Sequence, residues 1–564
     1  MVFQLPQPLP SLIWTSTLLQ RCAETRNLLL GRTIHGRILR TSSFPGIPIF
    51  LANHLLNMYL KCSSSPSQGI ALFRQIQAPN TITYSVLMSA FARLNLSAEC
   101  VSLFVGMKRC DYSQPNEFTY VSCVQACVLI EGGDRLLDQF HGSMVKSGFA
   151  SIRHARNALL SGLIRLGRLG DAICVFTDAD DDNDIVLWNA MLAGYVRWNC
   201  NEVPAFWLRM GRARIELDGH SFASVLTGLC EIGDVLLGIQ VHGQVEKLGW
   251  KEESCLGDSL LDLYLQNGWL EEGLKVFDEM TKKDVKSWTM VASGCLRCGE
   301  PRKALWALEE MRRTGLVPNK FTFATAFHVC TNATALEEGR KFHGLRIKLG
   351  SGMDVCVDNA LIDLYTKCGD LDGARSVFES MEERSVVTWT VMIIGCAQNG
   401  RAREAVELFD EMVREGREEP NDITFVGILY ACGQGGFVGE GWKYFASMSK
   451  EYGIAPGEDH YACMVNLLSR VGHMREAEEL ILAMPTRPSV TIWKTLLSAA
   501  LIHGDMEIAR RASEQALDSD GNDPSAYTLS SNAFAGMSKW ENVSEVRDLM
   551  ENRDVRKVPG SSWV

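Results

Sequence analysis

The chain has 564 residues, which is too long for a single hydrophobic core and predicts several domains or an array of repeats. Hydrophobic residues make up 46% and charged residues 22%, which is typical of a globular chain and argues against a disordered or membrane-embedded one. The net charge of −11 argues against a general nucleic-acid binder, whose surface is usually basic.

The first part of the chain differs in charge from the rest. Residues 1–80 contain seven Lys or Arg and one acid, Glu24, so they carry +6 and leave −17 for the remainder. An arginine-bearing, acid-poor start is compatible with an organellar transit segment, and a basic end of a nucleic-acid groove would give the same count. Since helical periodicity begins near Leu12, residues 1–15 form a short N-terminal segment with a candidate targeting role. The eighteen scattered cysteines predict free thiols in a reducing compartment.

A repeat of about 101 residues runs through the chain. Histidine-glycine pairs lie inside helical patterns at His35-Gly36, His141-Gly142, His242-Gly243 and His343-Gly344, and the histidines are 106, 101 and 101 residues apart. In the last block Phe445 and Ala446 take the place of this pair. Because a position that accepts phenylalanine is not a ligand position, we interpret the histidine as a packing residue. The glycine is interpreted as a small residue at a point where helices approach closely.

Each block contains three related units of 31 to 36 residues, and each unit contains two helical patterns. Residues 386–400 predict a first helix that ends at a glycine, and residues 401–416 predict a second helix with one apolar face. Such a hairpin cannot bury its apolar face alone, whereas stacked neighbours can. The sequence therefore predicts an all-α fold, an α-solenoid superhelix of stacked helix-turn-helix repeats.

Other patterns in the sequence offer little chemistry. Cys295 and Cys298 form a CxxC without a second ligand pair at zinc spacing, so we predict no metal site. The glycine cluster at 432–441 fits neither GxGxxG nor a Walker loop. The acidic run at 178–184 lies between repeats and is interpreted as a solvated loop. No cofactor is predicted.

Three segments carry a resemblance to a known family: VCVDNALIDLYTKCGDLDGARSVFESM (355–381), VTWTVMIIGCAQNGRAREAVELFDEM (387–412) and HYACMVNLLSRVGHMREAEELILAMP (460–485). They resemble the plant pentatricopeptide repeat family, PLS class, in which ordinary, long and short repeats rotate. In this register the array covers residues 16–490 in about 14 repeats. Long repeats lie at 16–48, 117–152, 219–253, 320–354 and 422–457; short repeats at 49–80, 153–184, 254–284, 355–385 and 458–490; ordinary repeats at 81–116, 185–218, 285–319 and 386–421.

Short polar residues recur in the first helix of short and ordinary repeats and at the final position of the same repeats. We call each such couple a recognition pair: Asn53/Asn80, Ser85/Asn116, Asn157/Asp184, Asn189/Asp218, Asp258/Asp284, Thr289/Asn319, Asn359/Ser385 and Thr390/Asn421. Their donors and acceptors suit the edges of nucleobases in single-stranded RNA. Helix capping is an alternative for the final residues. It does not explain the first-helix residues, which long repeats replace with Val121, Ala223, Ala324 and Val426.

The family's code, carried over to these positions, implies a base for each pair except Asp258/Asp284, which departs from it. Asn53/Asn80 implies a pyrimidine, Asn359/Ser385 a pyrimidine leaning to cytosine, and Asn157/Asp184 and Asn189/Asp218 uracil; adenine is implied for Ser85/Asn116, Thr289/Asn319 and Thr390/Asn421. Lys286 is a second departure, because ordinary repeats usually carry an aliphatic residue there, as at Ile82, Val186 and Val387.

Residues 491–564 resemble the family's E-type extension. In some relatives a zinc-dependent, deaminase-like DYW domain follows, and it needs a His-x-Glu and a Cys-x-x-Cys. No His-x-Glu occurs in this sequence, so we expect no enzymatic activity from the chain itself.

The resemblance implies a sequence-specific factor for organellar C-to-U RNA editing. Its expected partners are single-stranded organellar RNA and, through the E-type region, a DYW-type deaminase and other editing factors acting in trans. A factor for RNA stability, splicing or translation and a protein-binding helical scaffold are the alternatives. We expect location in the mitochondrion or chloroplast, with the mitochondrion preferred, and no membrane association.

Overall fold

The computed structural model describes residues 12–41, 47–63, 65–109, 113–179, 184–249, 254–350, 354–519, 522–553 and 555. It divides into two compact units, residues 1–282 and 283–564. Nearly all of the predicted N-terminal segment, residues 1–11, and most of the acidic run, residues 180–183, lie outside the described residues. No helix in the described ranges is long and apolar enough to cross a membrane.

The first unit consists of α-helices joined in antiparallel pairs. They are α1 (Leu12–Glu24), α2 (Leu28–Thr41), α3 (Ile49–Cys62), α4 (Ser67–Gln75), α5 (Thr81–Arg93), α6 (Ser97–Lys108), α7 (Glu117–Cys127), α8 (Gly133–Lys146), α9 (Arg153–Arg165), α10 (Leu169–Thr177), α11 (Ile185–Trp198), α12 (Val203–Arg212), α13 (Gly219–Ile232), α14 (Val235–Lys247), α15 (Ser254–Gln266) and α16 (Leu270–Glu279). Two short 3₁₀ turns, Phe149–Ser151 and Cys200–Glu202, are the other helical segments described there.

The second unit repeats this arrangement. Its helices are α17 (Val285–Arg297), α18 (Pro301–Arg313), α19 (Lys320–Asn332), α20 (Leu336–Lys348), α21 (Val355–Lys367), α22 (Leu371–Ser380), α23 (Val386–Gln398), α24 (Ala402–Glu415), α25 (Asp422–Gly435), α26 (Val438–Lys450), α27 (Glu458–Val471), α28 (Met474–Leu482), α29 (Val490–His503), α30 (Met506–Ser519), α31 (Pro524–Gly536) and α32 (Trp540–Asn552). The described residues contain no β-strand, so the expected all-α solenoid is confirmed.

The hairpin of α23 and α24 shows why these sequences fold as they do. The Ser385 side chain accepts a hydrogen bond from the backbone N–H of Thr388, and the Thr388 hydroxyl bonds the backbone N–H of Ser385, which closes a capping box. Gly400 follows α23 with φ of 76°, a left-handed conformation that ends the helix at little cost. In α24 the buried face includes Ala405, Phe409 and Met412, as its 3.6-residue periodicity predicts.

Within each unit, the first helix of a hairpin packs against its own second helix and against the first helices of neighbouring hairpins. The helix α23, for example, contacts α24, α21 and α25. First helices therefore form a continuous layer, and each hairpin completes the apolar core of the next. This layering places corresponding positions of successive first helices in a row.

Three of the four repeated histidines, His35, His242 and His343, have the same packing contact. His35 Nδ1 bonds the Tyr59 hydroxyl at 2.8 Å, and the same bond recurs between His242 and Tyr264 at 3.0 Å and between His343 and Tyr365 at 2.8 Å. Each bond joins the second helix of a long repeat to the first helix of the next short repeat. In the last block, the Phe445 ring contacts the Tyr461 ring at a centroid distance of 5.2 Å.

The interpretation of the glycines beside these histidines is wrong. A Cβ on Gly36, Gly142, Gly243 or Gly344 would meet nothing within 4 Å. Helices approach closely at a different set of glycines, four residues before three of the histidines and before Phe445: a Cβ on Gly31, Gly238, Gly339 or Gly441 would collide with Met58, Leu263, Leu364 or Leu467. The spacing was right, but the contact lies one helical turn earlier, where the helix surface faces its neighbour.

Candidate nucleic-acid interface

The final residue of every recognition pair caps the first helix of the next hairpin. Each side chain accepts a hydrogen bond from a backbone N–H in the first turn of that helix, and this holds for Asn80, Asn116, Asp184, Asp218, Asp284, Asn319, Ser385 and Asn421. The capping interpretation is therefore confirmed for these residues. Capping fixes the side chain at the start of the helix, so it also fixes where the remaining donors and acceptors lie.

The partner in each pair is the fifth residue of its own first helix. In the first unit, layering brings these residues next to the caps. Asn53 Nδ2 donates to Asn80 Oδ1 at 3.2 Å, and Ser85 Oγ donates to Asn116 Oδ1 at 3.2 Å. These two pairs, separated by 27 and 31 residues in sequence, therefore meet in space.

The two asparagine-aspartate pairs have the same arrangement. Asn157 Nδ2 donates to Asp184 Oδ2 at 2.8 Å, and Asn189 Nδ2 donates to Asp218 Oδ1 at 3.0 Å. Burial alone would raise the pKa of Asp218, but hydrogen bonds from Ser221 and Asn189 hold it below its usual value. Asp218 is therefore an anionic acceptor at neutral pH.

The threonine pairs of the second unit meet through a further hydroxyl. Thr390 Oγ1 lies 2.7 Å from Thr424 Oγ1, and Thr424 in turn donates to the cap, Asn421 Oδ1, at 2.9 Å. The corresponding hydroxyls of Thr289 and Thr322 are 3.0 Å apart. Thr322 Oγ1 lies 3.1 Å from the oxygen of the cap Asn319.

The pair Asn359/Ser385 differs from those above. The side-chain oxygen of Asn359, Oδ1, is buried and has no hydrogen-bond partner among the described residues. Ser385 caps the next helix as expected. Asp258 lies buried in α15 of the first unit, and Asp284 is an exposed cap of α17 in the second unit. Hydrogen bonds from the backbone N–H of Ser287 and from its side chain lower the pKa of Asp284, and they outweigh a small opposite effect of desolvation.

The fifth position of the long repeats is apolar, as the sequence indicated. Val121, Ala223, Ala324 and Val426 are the fifth residues of α7, α13, α19 and α25, and all are half-buried. These positions line the same layer of first helices but offer no side-chain hydrogen bond.

In several repeats of both units, large apolar side chains stand exposed beside the pairs, at the second residue of the first helix; α9, α13 and α21 instead have His154, His220 and Cys356 at this position. Ile82, Val186 and Val387 are 57%, 58% and 55% exposed. Sequence reasoning missed that Phe50, Phe118, Phe321 and Ile423 occupy the same place in other repeats, with 54% to 68% exposure. Lys286 takes this place in α17 and is exposed as well. An exposed apolar side chain next to a polar pair can pack on the face of a flat ring while the pair bonds its edge.

One groove in the first unit has all the parts of such a site. Its volume is about 540 Å³, and Ile82 and Phe118 line it together with the pair Ser85/Asn116. Arg93 and Lys61 line it too and add positive charge. A planar heterocycle attached to a phosphate matches this combination of apolar faces, hydrogen-bonding edge and cations.

Basic residues at one position of the first helix are the second feature that sequence reasoning missed. The thirteenth residue of the first helix is basic and exposed in most short and ordinary repeats: Lys61, Arg93, Arg165, Arg197, Arg297 and Lys367. A cavity of about 580 Å³ is lined by Lys61, Arg93 and Arg26 at the ends of successive first helices. The signal was available, because long repeats carry Leu129, Glu231, Asn332 and Gln434 at the same position.

The described part of the chain contains neither a cluster of metal ligands nor, at the CxxC, a reactive Cys295 thiol. No group of three or more potential metal ligands occurs there. Burial raises the pKa of Cys295 to about 11, and the nearby Cys298 contributes to this rise, so the Cys295 thiol is protonated at neutral pH.

Comparison with known proteins identifies the family. A putative pentatricopeptide repeat-containing protein of Arabidopsis thaliana is 31% identical over 540 residues, which cover 95% of this chain and 77% of the relative. The chain belongs to the pentatricopeptide repeat family. Two further Arabidopsis members are named mitochondrial (32% identical; 97% of this chain, 78% of the relative) and chloroplastic (30%; 97% and 64%). Other members are longer, and the chain spans 55% of one of them.

Family models place the repeats and the C-terminal extension. The PPR repeat model matches residues 82–112, 258–285, 286–316, 359–386 and 459–487, and the PPR repeat family model matches 384–434. The E motif model matches residues 503–564, so the chain is a plant pentatricopeptide repeat protein with an E-type C-terminus. The proposed boundaries between its regions remain predictions.

Solved structures show the same fold. The pentatricopeptide repeat protein PPR10 from maize matches 98% of this chain and 92% of its own, with 16% identity and a TM-score of 0.58. The same protein in complex with an 18-nucleotide psaJ RNA element matches with a TM-score of 0.60, over 98% of this chain and 86% of that one. At this identity the likeness concerns the fold alone.

Proposed function

We propose that this pentatricopeptide repeat protein binds single-stranded RNA of a defined sequence and acts as the site-recognition factor for organellar C-to-U RNA editing. The observation that carries the proposal is the series of polar pairs along the layer of first helices in each unit. Apolar side chains beside these pairs supply ring-packing surfaces, and basic thirteenth residues supply phosphate contacts. The complex of PPR10 with a psaJ RNA element supports the same class of ligand.

Single strands fit this surface better than duplexes do. Recognition pairs need free base edges, and the exposed second residues need free ring faces, both of which base pairing and stacking remove. Although the net charge is −11, the basic thirteenth residues concentrate positive charge at one end of the first helices within each unit. We therefore expect affinity for single-stranded RNA to exceed that for duplex RNA or DNA and to fall as salt rises.

The sequence of the RNA follows from the pairs and the family's polarity. With the 5′ end at the N-terminal repeats, the repeats from 49–80 to 386–421 specify Y-A-n-U-U-n-n-A-n-Y-A, where n stands for long repeats and for Asp258/Asp284. The decisive experiment exchanges one pair. Thr390→Asn with Asn421→Asp should shift preference at the last A toward U by about tenfold, since a well-made base contact contributes about 1–3 kcal/mol.

The same exchange at Thr289 and Asn319 is the matched second case, because that pair has the same residues and the same bridging hydroxyl. It should change preference at the earlier A alone. Equal binding of both RNAs by both folded variants would contradict the proposed register.

The E-type region is proposed to recruit the deaminase in trans. Two large apolar side chains there are strongly exposed, Ile502 at 82% and Trp540 at 67%. Exposed apolar groups of this size suit protein contacts. Ile502→Asp and Trp540→Asp should abolish editing in a complemented plant line while leaving RNA affinity unchanged. Loss of RNA affinity instead would place this region in RNA binding.

The editing role itself is tested in the organelle. Sequencing organellar RNA from a loss-of-function line should show one or a few cytidines that remain unedited, a few nucleotides 3′ of the predicted sequence. Changed transcript ends, splicing or translation with full editing would instead favour the alternative role in RNA maturation. Because relatives are named both mitochondrial and chloroplastic, neither organelle is favoured and both must be sequenced.

A further inference from the structure

Each recognition pair has a third neighbour, the third residue of the helix that the pair's final residue caps. This residue carries a hydroxyl in almost every case: Thr83, Thr119, Ser221, Ser287, Thr322, Thr388 and Thr424. The exception is Leu187 in α11, next to the pair Asn157/Asp184. All eight side chains are buried, so the difference is one of chemistry and not of exposure.

The hydroxyl can donate a hydrogen bond to the side-chain amide oxygen of the asparagine in the recognition pair. Ser221 Oγ donates to Asn189 Oδ1 at 2.7 Å, while Asn189 Nδ2 donates to Asp218 at 3.0 Å. Asn53 is held in the same way, by Thr83 Oγ1 at 2.7 Å and by Asn80. Both ends of these amides are engaged, so the donor that remains for a base points in a fixed direction.

At Asn157 the same amide is held at one end only. Asn157 Nδ2 donates to Asp184 at 2.8 Å, but Asn157 Oδ1 is buried without any hydrogen-bond partner among the described residues. The neighbouring Leu187 has no hydroxyl to offer. An unpaired buried carbonyl is unfavourable, and rotation of the side chain toward a hydrogen-bond donor on a bound base relieves this cost.

Asn359 shows that the presence of a hydroxyl at the third position does not by itself engage the amide. Within the described part of the chain, its Oδ1 is buried and unpartnered although Thr388 is present. The Thr388 hydroxyl lies 3.1 Å from Ser385 Oγ, within the cap, and makes no bond to Asn359, whereas Thr83 and Ser221 contact both their cap and the asparagine. The pairs of Asn157 and Asn359 therefore share a loosely held carbonyl, whereas Asn53 and Asn189 do not.

We propose that this third residue determines how strictly an asparagine of a recognition pair discriminates between pyrimidines. The inference rests on the proposed RNA-binding function. Uracil offers a donor at N3 and cytosine offers one at N4, so a carbonyl that is free to turn can bond either base. A side-chain amide that a hydroxyl holds in place presents one pattern of donor and acceptor. Replacement of the matching base by another therefore weakens binding more. Asn157/Asp184 is thus a permissive pair, and Asn189/Asp218 is a strict one.

The two pairs provide a natural control, because they lie in adjacent repeats and carry the same two recognition residues. In the wild-type chain, cytosine at the fifth base of the predicted sequence should weaken binding about tenfold, as expected for a lost base contact. Cytosine at the fourth base should weaken it less than about threefold, given that a free carbonyl can re-pair.

Variants of the third residue test the cause. The measured quantity is the ratio of the affinity for RNA with uracil to that for RNA with cytosine at one position. Ser221→Ala should lower this uracil-to-cytosine ratio at the fifth base to its value at the fourth base. Ser221→Thr keeps the hydroxyl and should leave the ratio unchanged. Leu187→Thr should raise the ratio at the fourth base. Leu187 is fully buried, and its replacement can unfold the chain, so Thr83→Val provides a second, isosteric test. Because Thr83 holds Asn53, the inference predicts that the wild type prefers one of the two pyrimidines at the first base, and Thr83→Val should reduce that preference.

The outcomes separate the inference from the function on which it rests. If the wild-type chain distinguishes no base at any position, the proposed function is wrong. If it does distinguish bases but the ratios at the fourth and fifth positions are equal, or Ser221→Ala weakens all RNAs alike with its ratio unchanged, the third residue has a structural role only and the inference is overturned.

Discussion

Two regions correspond to each other: residues 235–280 in the first unit and 336–381 in the second. They share the same contacts between helices, but the residues next to these contacts differ. Both have the histidine–tyrosine bond, and both have the close-approach glycine, Gly238 or Gly339. Beside His242, however, Val245 and Gly257 line a cavity of about 40 Å³. Beside His343, the corresponding residues are Arg346 and Asp358, which form a buried ion pair.

The comparison shows which features the repeat geometry depends on. The glycine sets how closely the helices approach, and the histidine–tyrosine bond joins one hairpin to the next. The residues beside them can be apolar, with a small void, or fully charged without changing these contacts. A buried ion pair incurs a desolvation cost that its mutual attraction only partly offsets, so it is weak evidence for extra stability.

The largest effect is expected when the ion pair is broken on one side. Arg346→Met leaves the carboxylate of Asp358 buried without its partner, which should destabilise the protein by about 3–5 kcal/mol. Urea denaturation followed by circular dichroism measures the change. Val245→Met, at the corresponding position of the other region, is the control and should change stability much less. A small loss for Arg346→Met would show that water reaches Asp358.

Replacing both charges should reverse that loss. Arg346→Val with Asp358→Gly installs the residues of the other region. Removing the buried ion pair should raise the free energy of unfolding by up to about 2 kcal/mol relative to the wild type. The glycine within a helix should lower it by about 1 kcal/mol. The same denaturation experiment on the two single variants and the double variant gives the coupling between the residues. Additive effects of the two changes would mean that the ion pair is not coupled.

Filling the cavity beside His242 should have a smaller effect. Val245→Ile adds one methylene toward a void of about 40 Å³, and at ~24 cal/mol per Å³ the gain is at most about 1 kcal/mol. Thermal unfolding measures it. Val241→Ile, at a buried position that does not line this cavity, is the control and should be neutral or destabilising through overcrowding.

The smallest effect concerns pH. Burial lowers the pKa of His343, and the positive charge of Arg346 lowers it further. As pH falls through about 6.5, the histidine binds a proton in the unfolded chain but stays neutral in the folded chain. The contribution of His343 to the free energy of unfolding therefore decreases as pH falls, until the pH lies below the folded-state pKa of His343. His343→Phe should remove this part of the pH dependence and, near neutral pH, cost about 1 kcal/mol for the lost bond to Tyr365.

Base preference should remain as in the wild type in His343→Phe, because the histidine lies between hairpins and in no recognition pair. Binding of the predicted RNA and of a variant with U at the last A provides the measurement. A changed preference would contradict the packing role that the tyrosine bond indicates.

The sequence by itself determined the fold class, the hairpin unit and which polar residues recur at the fifth and capping positions. Helical periodicity and glycine stops predicted α23 and α24 to within a few residues, since local propensities and the stacked arrangement agree there. The alternation of polar and apolar residues at one helix position, such as Thr390 against Val426, marked the same surface that the structure forms.

Only the tertiary structure decided which side chains meet. Sequence spacing located a glycine in four of the long repeats but not the one at the close approach, because the direction of the helix face toward its neighbour depends on packing. It likewise could not show that Ser221 holds Asn189 from a residue 32 positions away while Leu187 leaves Asn157 free at its carbonyl. Such contacts arise from hairpins stacking at a fixed distance, and that distance is a property of the assembled core rather than of any one repeat.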